Sequence, residues 1–128
     1  MEGPPQMSTC NSMTADLCWV RGDSGRLDVT VASADGTAYS LTGATLFLTV
    51  KNALTDADSA AVIRKEVTAH DNAAGGLSHF DLLTTDNATN GRRFYDVQLK
   101  DSDAKIFTLF GGLWTVSQDV TTRTAPLA

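Results

Sequence analysis

The chain has little of what most catalytic and nucleic-acid-binding proteins use. It contains two histidines, two cysteines and ten Lys and Arg residues among 128, and its net charge is −5. Because binding to a nucleic-acid backbone depends on clustered basic residues, and these are scattered, we expect no nucleic-acid partner. No apolar run approaches the roughly 20 residues needed to span a bilayer, so we expect a soluble protein with no membrane partner.

Glutamate is almost absent, since 13 of the 15 acidic residues are Asp and only Glu2 and Glu66 are Glu. Asp side chains bond to nearby backbone groups in turns and loops and are poor helix formers. Hydrophobic residues make up 42% of the chain, which excludes general disorder. A chain of this length forms one domain and needs no metal or disulfide to bury a core. The composition predicts an all-β fold.

No secretory signal is visible, because no basic region precedes an apolar segment at the start of the chain. We therefore expect synthesis in the cytoplasm, where reducing conditions disfavour a disulfide between Cys10 and Cys18 without excluding it. Cys18 lies in an apolar run, in which a free cysteine behaves as a small hydrophobic residue.

The clearest structural pattern is a turn and strand over residues 41–51. Gly43 suits the turn, and after it small or aliphatic residues alternate with Thr45, Phe47, Thr49 and Lys51. This alternation is typical of a strand with one face in the core. Nothing in the segment is chemically reactive, so it indicates a scaffold.

Similar strand patterns recur along the chain, separated by turns rich in Gly, Asn and Asp. They predict strands at residues 17–20, 27–32, 44–51, 60–68, 77–82, 94–100, 105–110 and 113–117. The inward residues of the strands at 27–32 and 94–100 should meet in one core. The last two strands should form one long strand with a kink at Gly111 and Gly112, its first part covered on both faces. A single helical turn is predicted near Thr84.

We divide the chain into an N-terminal arm at residues 1–14, a β-sandwich domain at 15–122 and a C-terminal tail at 123–128. The arm has no periodicity and should be flexible unless a neighbour holds it. All three methionines lie there, including Met7 and Met13. They reflect either alternative start sites or residues that dock onto an adjacent subunit.

Several segments occur in an order that resembles a known family. They are Arg-Gly-Asp-Ser at 21–24, Asp-Gly at 35–36, Leu-Thr-Gly-Ala-Thr-Leu-Phe-Leu-Thr-Val-Lys at 41–51, Tyr-Asp-Val-Gln-Leu-Lys at 95–100, Phe-Thr-Leu-Phe-Gly-Gly at 107–112 and Asp-Val-Thr at 119–121. Over residues of about 18 to 121, the chain resembles the small immunoglobulin-like domains of tailed bacteriophages, in particular the N-terminal domain of siphophage upper baseplate proteins. The Cys-containing arm has no counterpart in that pattern.

The resemblance implies an immunoglobulin-like antiparallel β-sandwich of about seven to eight strands. It also implies a non-enzymatic virion component, made in the host cytoplasm, that assembles with itself and with other tail or baseplate proteins. Two alternatives stay open: a capsid decoration or head-fibre protein of a phage, and a host-surface or carbohydrate-binding adhesion module.

Candidate catalytic and metal sites are few. His70 and His79 are not placed with Cys or carboxylates at metal-ligand spacing. Neither a Gly-x-Ser-x-Gly motif nor a phosphate-binding glycine loop is present. We therefore expect no enzymatic activity, no metal and no cofactor.

Three short motifs have structural readings that we prefer to their functional ones. Arg-Gly-Asp at 21–23 could serve adhesion but suits a loop that enters the next strand. Asn-Ala-Thr at 87–89 matches a glycosylation site, which needs secretion to be used. Asp-Ser-Asp at 101–103 could offer oxygen ligands to calcium, yet a hairpin turn accounts for it better.

Two aromatic side chains are candidates for subunit contacts. Phe94 and Tyr95 are consecutive on a predicted strand and must point to opposite faces, and Phe47 is out of phase with its aliphatic neighbours. We therefore predict that Phe47 and Phe94 lie either in an interface or under a second covered face, alongside Met7 and Met13 as candidate interface residues.

Overall fold

Eight strands make up about half of the computed structural model, which describes residues 13–119. One short 3₁₀ turn at Asp58–Ala60 is the helical element of this part of the chain. The strands are β1 (Met13–Thr14), β2 (Leu17–Val20), β3 (Gly25–Thr30), β4 (Thr45–Lys51), β5 (Ile63–Val67), β6 (Leu77–Leu82), β7 (Gly91–Lys100) and β8 (Ile106–Ser117). The prediction of an all-β fold is confirmed. Among the described residues, no helix has the length and apolar character needed to cross a membrane.

The strands form two sheets that pack as a sandwich. The larger sheet has the order β8-β7-β4-β5, with β1 and β2 both paired to the free side of β8. The smaller sheet consists of β3 and β6. Antiparallel pairing holds throughout except at β1 and β2, which run parallel to β8. The predicted two-sheet sandwich is thus confirmed, with a parallel N-terminal edge.

A single hydrophobic core lies between the sheets. Leu27 and Val29 of β3 meet Val97 and Leu99 of β7 in this core, as predicted. Trp114 of β8 is completely buried and is the largest side chain there. Because burying one such side chain contributes roughly 1.5 to 3 kcal/mol, the core is the main source of the stability of the fold.

The prediction that residues 106–117 form one long strand is confirmed, but the irregularity of β8 lies at Leu109 and not at Gly111 and Gly112. Its pairing with β7 shifts register between Val97 and Gln98, which marks a bulge. At Gly112 a β-carbon would lie 2.8 Å from the carbonyl oxygen of Ala15, so a glycine is needed where the link between β1 and β2 passes close to β8. The expectation that residues 106–110 are covered on both faces is wrong at the start of the strand. Ile106 is 61% exposed there, because it points to the outer face of the sheet.

The N-terminal strands are fastened to the sheet by hydrogen bonds from β7 and β8. The buried hydroxyl of Tyr95 donates to the carbonyl oxygen of Ala15, and the amide of Leu113 donates to the Asp16 carboxylate at 3.0 Å. Burial, with a smaller effect of Asp16, raises the pKa of Tyr95 to about 12, so the phenol stays a donor. Met13 and Thr14, the last residues of the predicted arm, belong to this edge as β1.

Three local predictions are corrected. Strand β5 begins at Ile63 rather than at residue 60, because the 3₁₀ turn occupies Asp58–Ala60. The segment around Thr84 forms a hydrogen-bonded turn, not a helical one. Cys18 is exposed rather than a small core residue, since Leu17 and Trp19 of the same strand take the inward positions.

Candidate docking face

The two outer faces of the sandwich differ in chemistry. The outer face of the smaller sheet carries alternating charges: Arg26 pairs with Asp81 across the strands, and Asp28 pairs with His79. These side chains are satisfied locally, because Arg26 contacts both Asp28, at 2.6 Å, and Asp71, at 3.1 Å. Because these charges already pair within the chain and are exposed to water, this face is not our candidate for docking.

His79 completes the charged network on the smaller sheet. Its Nδ1 atom lies 2.8 Å from the Asp71 carboxylate and its Nε2 atom lies 3.4 Å from that of Asp81. The hydrogen bond to Asp71 raises the pKa of His79 above its ordinary value, against a smaller opposing effect of Arg26. The histidine therefore holds a proton more readily than a free imidazole does.

The other histidine ties the two sheets together. His70 Nε2 lies 2.9 Å from the carbonyl oxygen of Ala44, and its Nδ1 lies 2.9 Å from the hydroxyl of Ser78, which is buried in β6. A carbonyl oxygen only accepts, so Nε2 carries a proton and donates it to Ala44. Both ring nitrogens are engaged in holding structure. No group of three potential metal ligands occurs within residues 13–119.

The outer face of the larger sheet carries the two aromatic residues singled out in the sequence. On β4, Leu46, Leu48 and Val50 are buried, which places Phe47 on the other face. On β7, Tyr95 is the residue that joins the core, and Phe94 is the one that leaves it. Both phenylalanines are half-buried. Phe47 pairs with Gln98, four residues along β7 from Phe94, which puts the aromatics about 13 Å apart.

We call this outer surface the Phe47–Phe94 face. It consists of the outward residues of β4 and β7 and their neighbours on β5 and β8. Its central members are Phe47, Thr49, Lys51, Phe94, Asp96, Gln98, Thr108, Leu113, Arg64 and Glu66.

A cavity of about 210 Å³ opens on this face beside Phe94. Strands β4 and β7 form its floor, and the segment between β4 and β5 forms its wall. Leu54 of that wall is 74% exposed, and Asp58 of the same wall forms an ion pair with Lys51 at 2.8 Å. The lining residues are Thr49, Lys51, Leu54, Asp58, Phe94, Tyr95, Asp96 and Gln98.

The wall of the cavity is held by polar contacts at both ends. Arg93 Nε donates to Asn52 Oδ1 at 3.0 Å, and Arg64 donates to the carbonyl oxygen of Asp58 at 3.3 Å. Lys51 lowers the pKa of Asp58 through its hydrogen bond to the carboxylate. These contacts keep the wall in place over the sheet, so the cavity is built into the fold.

Asp96 lies on the floor of the cavity and differs from the other acidic groups there. Burial is the main cause that raises its pKa, while Lys51 acts in the opposite direction. Within the described part of the chain, no hydrogen-bond donor contacts its carboxylate. The carboxylate is part-buried and lines the open cavity, so it can accept a hydrogen bond from the donor of a ligand.

The remaining sequence motifs have structural roles. Arg21 forms a 2.7 Å ion pair with Asp119, which ties the Arg-Gly-Asp loop to the segment that follows β8. Asn87 is buried, and its Oδ1 accepts from Trp114 Nε1 at 2.8 Å, so the motif at 87–89 does not expose its amide nitrogen to solvent. The hairpin turn predicted at 101–103 is confirmed, since Asp101 accepts from the amides of Asp103 and Lys105.

Of the predicted interface residues, the structure brings Phe47 and Phe94 onto one face. Met13 contributes its backbone to β1, on the opposite side of β8 from β7. Met7 lies outside the described residues, as does Cys10. Asp96 and Leu54 were not among the residues predicted for a functional surface. The sequence of β7 could have identified Asp96, because Asp is uncommon in strands and this one lies among the outward residues of a central strand.

Comparisons with known proteins give no family. No family model matches the chain, and no curated protein is similar to it. Among solved structures, it is similar to the PmoD soluble domain from Methylocystis sp. ATCC 49242 (Rockwell), with a TM-score of 0.41 and 12% identity over 84% of this chain and 79% of that one. A likeness at this level supports no inference about fold or function.

Proposed function

We propose that this protein is a non-enzymatic structural component of a tailed bacteriophage virion, which associates with itself and docks to tail or baseplate proteins. One observation carries the proposal. Three of the segments that resemble phage immunoglobulin-like domains become β4, β7 and β8, and these strands lie side by side in the larger sheet. Their outward residues form the Phe47–Phe94 face.

The chemistry of that face suits docking. It presents two half-buried aromatic side chains that lie outside the core, and these are surrounded by Thr, Gln and charged residues. Aromatic centres with a polar rim are the usual composition of protein interfaces. The smaller sheet offers a poorer surface, since its charges already pair with one another.

A charge on the Phe47–Phe94 face tests this function. The variant Phe47→Asp should keep the fold, because Phe47 lies opposite the buried residues of β4, but should prevent association. Leu83→Asp places the same charge on a residue that is 59% exposed outside the strands and serves as the matched control. Sedimentation velocity at increasing concentration measures association, and circular dichroism with thermal melting measures folding.

We expect the natural protein and Leu83→Asp to associate as concentration rises, and Phe47→Asp to stay a folded monomer. Equal association of all three proteins would contradict a role for this face. Unfolding of Phe47→Asp alone would show that Phe47 belongs to a covered core. Incorporation into particles is measured separately by mass spectrometry of purified virions, in which we expect the natural protein and not Phe47→Asp.

A further inference from the structure

The charged side chains that line the cavity beside Phe94 indicate the charge of its ligand. Its lining contains one ammonium group, Lys51, and two carboxylates, Asp58 and Asp96. Lys51 is already paired with Asp58 at 2.8 Å. The Asp96 carboxylate on the floor is therefore the group left to attract a ligand, and it attracts a cation.

Two apolar side chains in the lining narrow the choice of cation. Phe94 and Leu54 lie at the same opening as Asp96, so a ligand must offer an apolar stem as well as a charge. Gln98 also lines the cavity. Its amide nitrogen already donates to the hydroxyl of Thr108 at 3.3 Å. A planar guanidinium can form two parallel hydrogen bonds with a carboxylate and stack on an aromatic ring, which an ammonium group does less well.

We infer that this cavity binds the side chain of an arginine from a separate, basic protein partner. The guanidinium meets the Asp96 carboxylate, and its methylene stem lies between Phe94 and Leu54. The inference rests on the proposed docking role of the Phe47–Phe94 face and names the partner chemistry that this face selects.

A second copy of this chain is a poorer source of the arginine. Each copy carries a net charge of −5, so a second copy brings its arginines to Asp96 with less long-range attraction than a basic protein does. Of the arginines within residues 13–119, all except Arg92 already contact an oxygen of this chain. Charge complementarity therefore favours a basic partner, whose approach the acidic chain would also accelerate.

Short capped peptides test the cavity without the particle. A Gly-Arg-Gly peptide is titrated into ¹⁵N-labelled protein and compared with peptides in which citrulline or lysine replaces the arginine. Citrulline keeps the shape of arginine and removes its charge. We expect the arginine peptide to shift the amide signals of residues 54–58 and 94–98, the lysine peptide to bind more weakly, and the citrulline peptide to leave the signals unchanged.

The variant Asp96→Asn keeps the size of the side chain and removes its charge. It should weaken arginine-peptide binding by about tenfold or more, because a charge-assisted bidentate contact is lost. Asp103→Asn, at an exposed hairpin position, removes the same charge elsewhere and should bind as the natural protein does. Because Asp96 has no hydrogen bond to lose within the described residues, the variant should fold normally, which its ¹⁵N spectrum verifies.

Several results would overturn the inference: equal binding of the citrulline peptide, unchanged binding by Asp96→Asn, or signal shifts confined to other surfaces. A neutral monosaccharide that shifts the same signals more strongly would make the cavity a carbohydrate site instead. Self-association abolished by Asp96→Asn but not by Asp103→Asn would make a second copy the source of the arginine. If purified particles lack the chain while the peptide result holds, the virion function fails and the cavity assignment stands.

Discussion

Replacing Asn87 by alanine should destabilise the protein by removing one buried hydrogen bond. Asn87 is 1% exposed and Trp114 is fully buried, and the indole nitrogen donates to the amide oxygen at 2.8 Å. This bond joins the turn after β6, which belongs to the smaller sheet, to β8 of the larger sheet. Alanine leaves the indole N–H without a partner at a site that water does not reach.

The expected loss in the free energy of unfolding is about 2 kcal/mol. An orphaned buried donor costs about 1 to 3 kcal/mol, and the space left by the amide adds to this. One effect acts in the opposite direction. The amide nitrogen of Asn87 is buried with no acceptor among the described residues, and its removal relieves that cost. The estimate therefore lies in the middle of the range for an orphaned donor.

Urea unfolding followed by tryptophan fluorescence measures the effect. With a typical slope of about 2 kcal/mol per molar urea, the midpoint should fall by about 1 M. The exposed variant Asn90→Ala is the control and should change stability by less than about 0.5 kcal/mol. In a Trp114→Phe background, which lacks the donor, Asn87→Ala should cost about 1 kcal/mol less. A loss below about 0.5 kcal/mol, or an equal loss in both backgrounds, would refute this reasoning.

Two further predictions concern the N-terminal edge and pH. Tyr95→Phe removes the donor to the Ala15 carbonyl and should cost about 1 to 2 kcal/mol, with faster hydrogen exchange at the Ala15 amide; unchanged exchange would contradict the fastening of β1 and β2 through this bond. Asp71 raises the pKa of His79, so the stability due to this contact is present below the unfolded-state pKa and lost as pH rises through the folded-state value. An NMR titration should give His79 a pKa above 6.5 in the natural protein and a lower one in Asp71→Asn, and equal values would disprove the contact.

Much of the fold could be predicted because period-two alternation is a local property of the chain. The inward residues of β4 and β7 follow directly from it, whereas the bulge of β8 lies at Leu109 and not at the paired glycines where a kink was predicted. Alternation does not say which strand lies beside which. The parallel pairing of β2 with β8 joins residues almost a hundred positions apart, and it depends on contacts such as that of Asp16 with Leu113.

The candidate site was predictable only in part. The phase of the pattern identified Phe47 as an outward residue, and the choice between Phe94 and Tyr95 needed the pairing of Val50 with Tyr95 in the core. The cavity itself depends on how the segment between β4 and β5 lies over the sheet. Two side-chain contacts, those of Arg93 with Asn52 and Lys51 with Asp58, set that position, and no periodic pattern encodes them.

The proposed role in a phage virion is tested most directly by a cryo-electron microscopy reconstruction of the purified particles. We predict density for the β-sandwich in the tail or baseplate, with Phe47 and Phe94 buried against a neighbouring subunit and an arginine of a basic protein beside Asp96. Particles that lack the chain, or a sandwich whose Phe47–Phe94 face is open to solvent, would contradict the account.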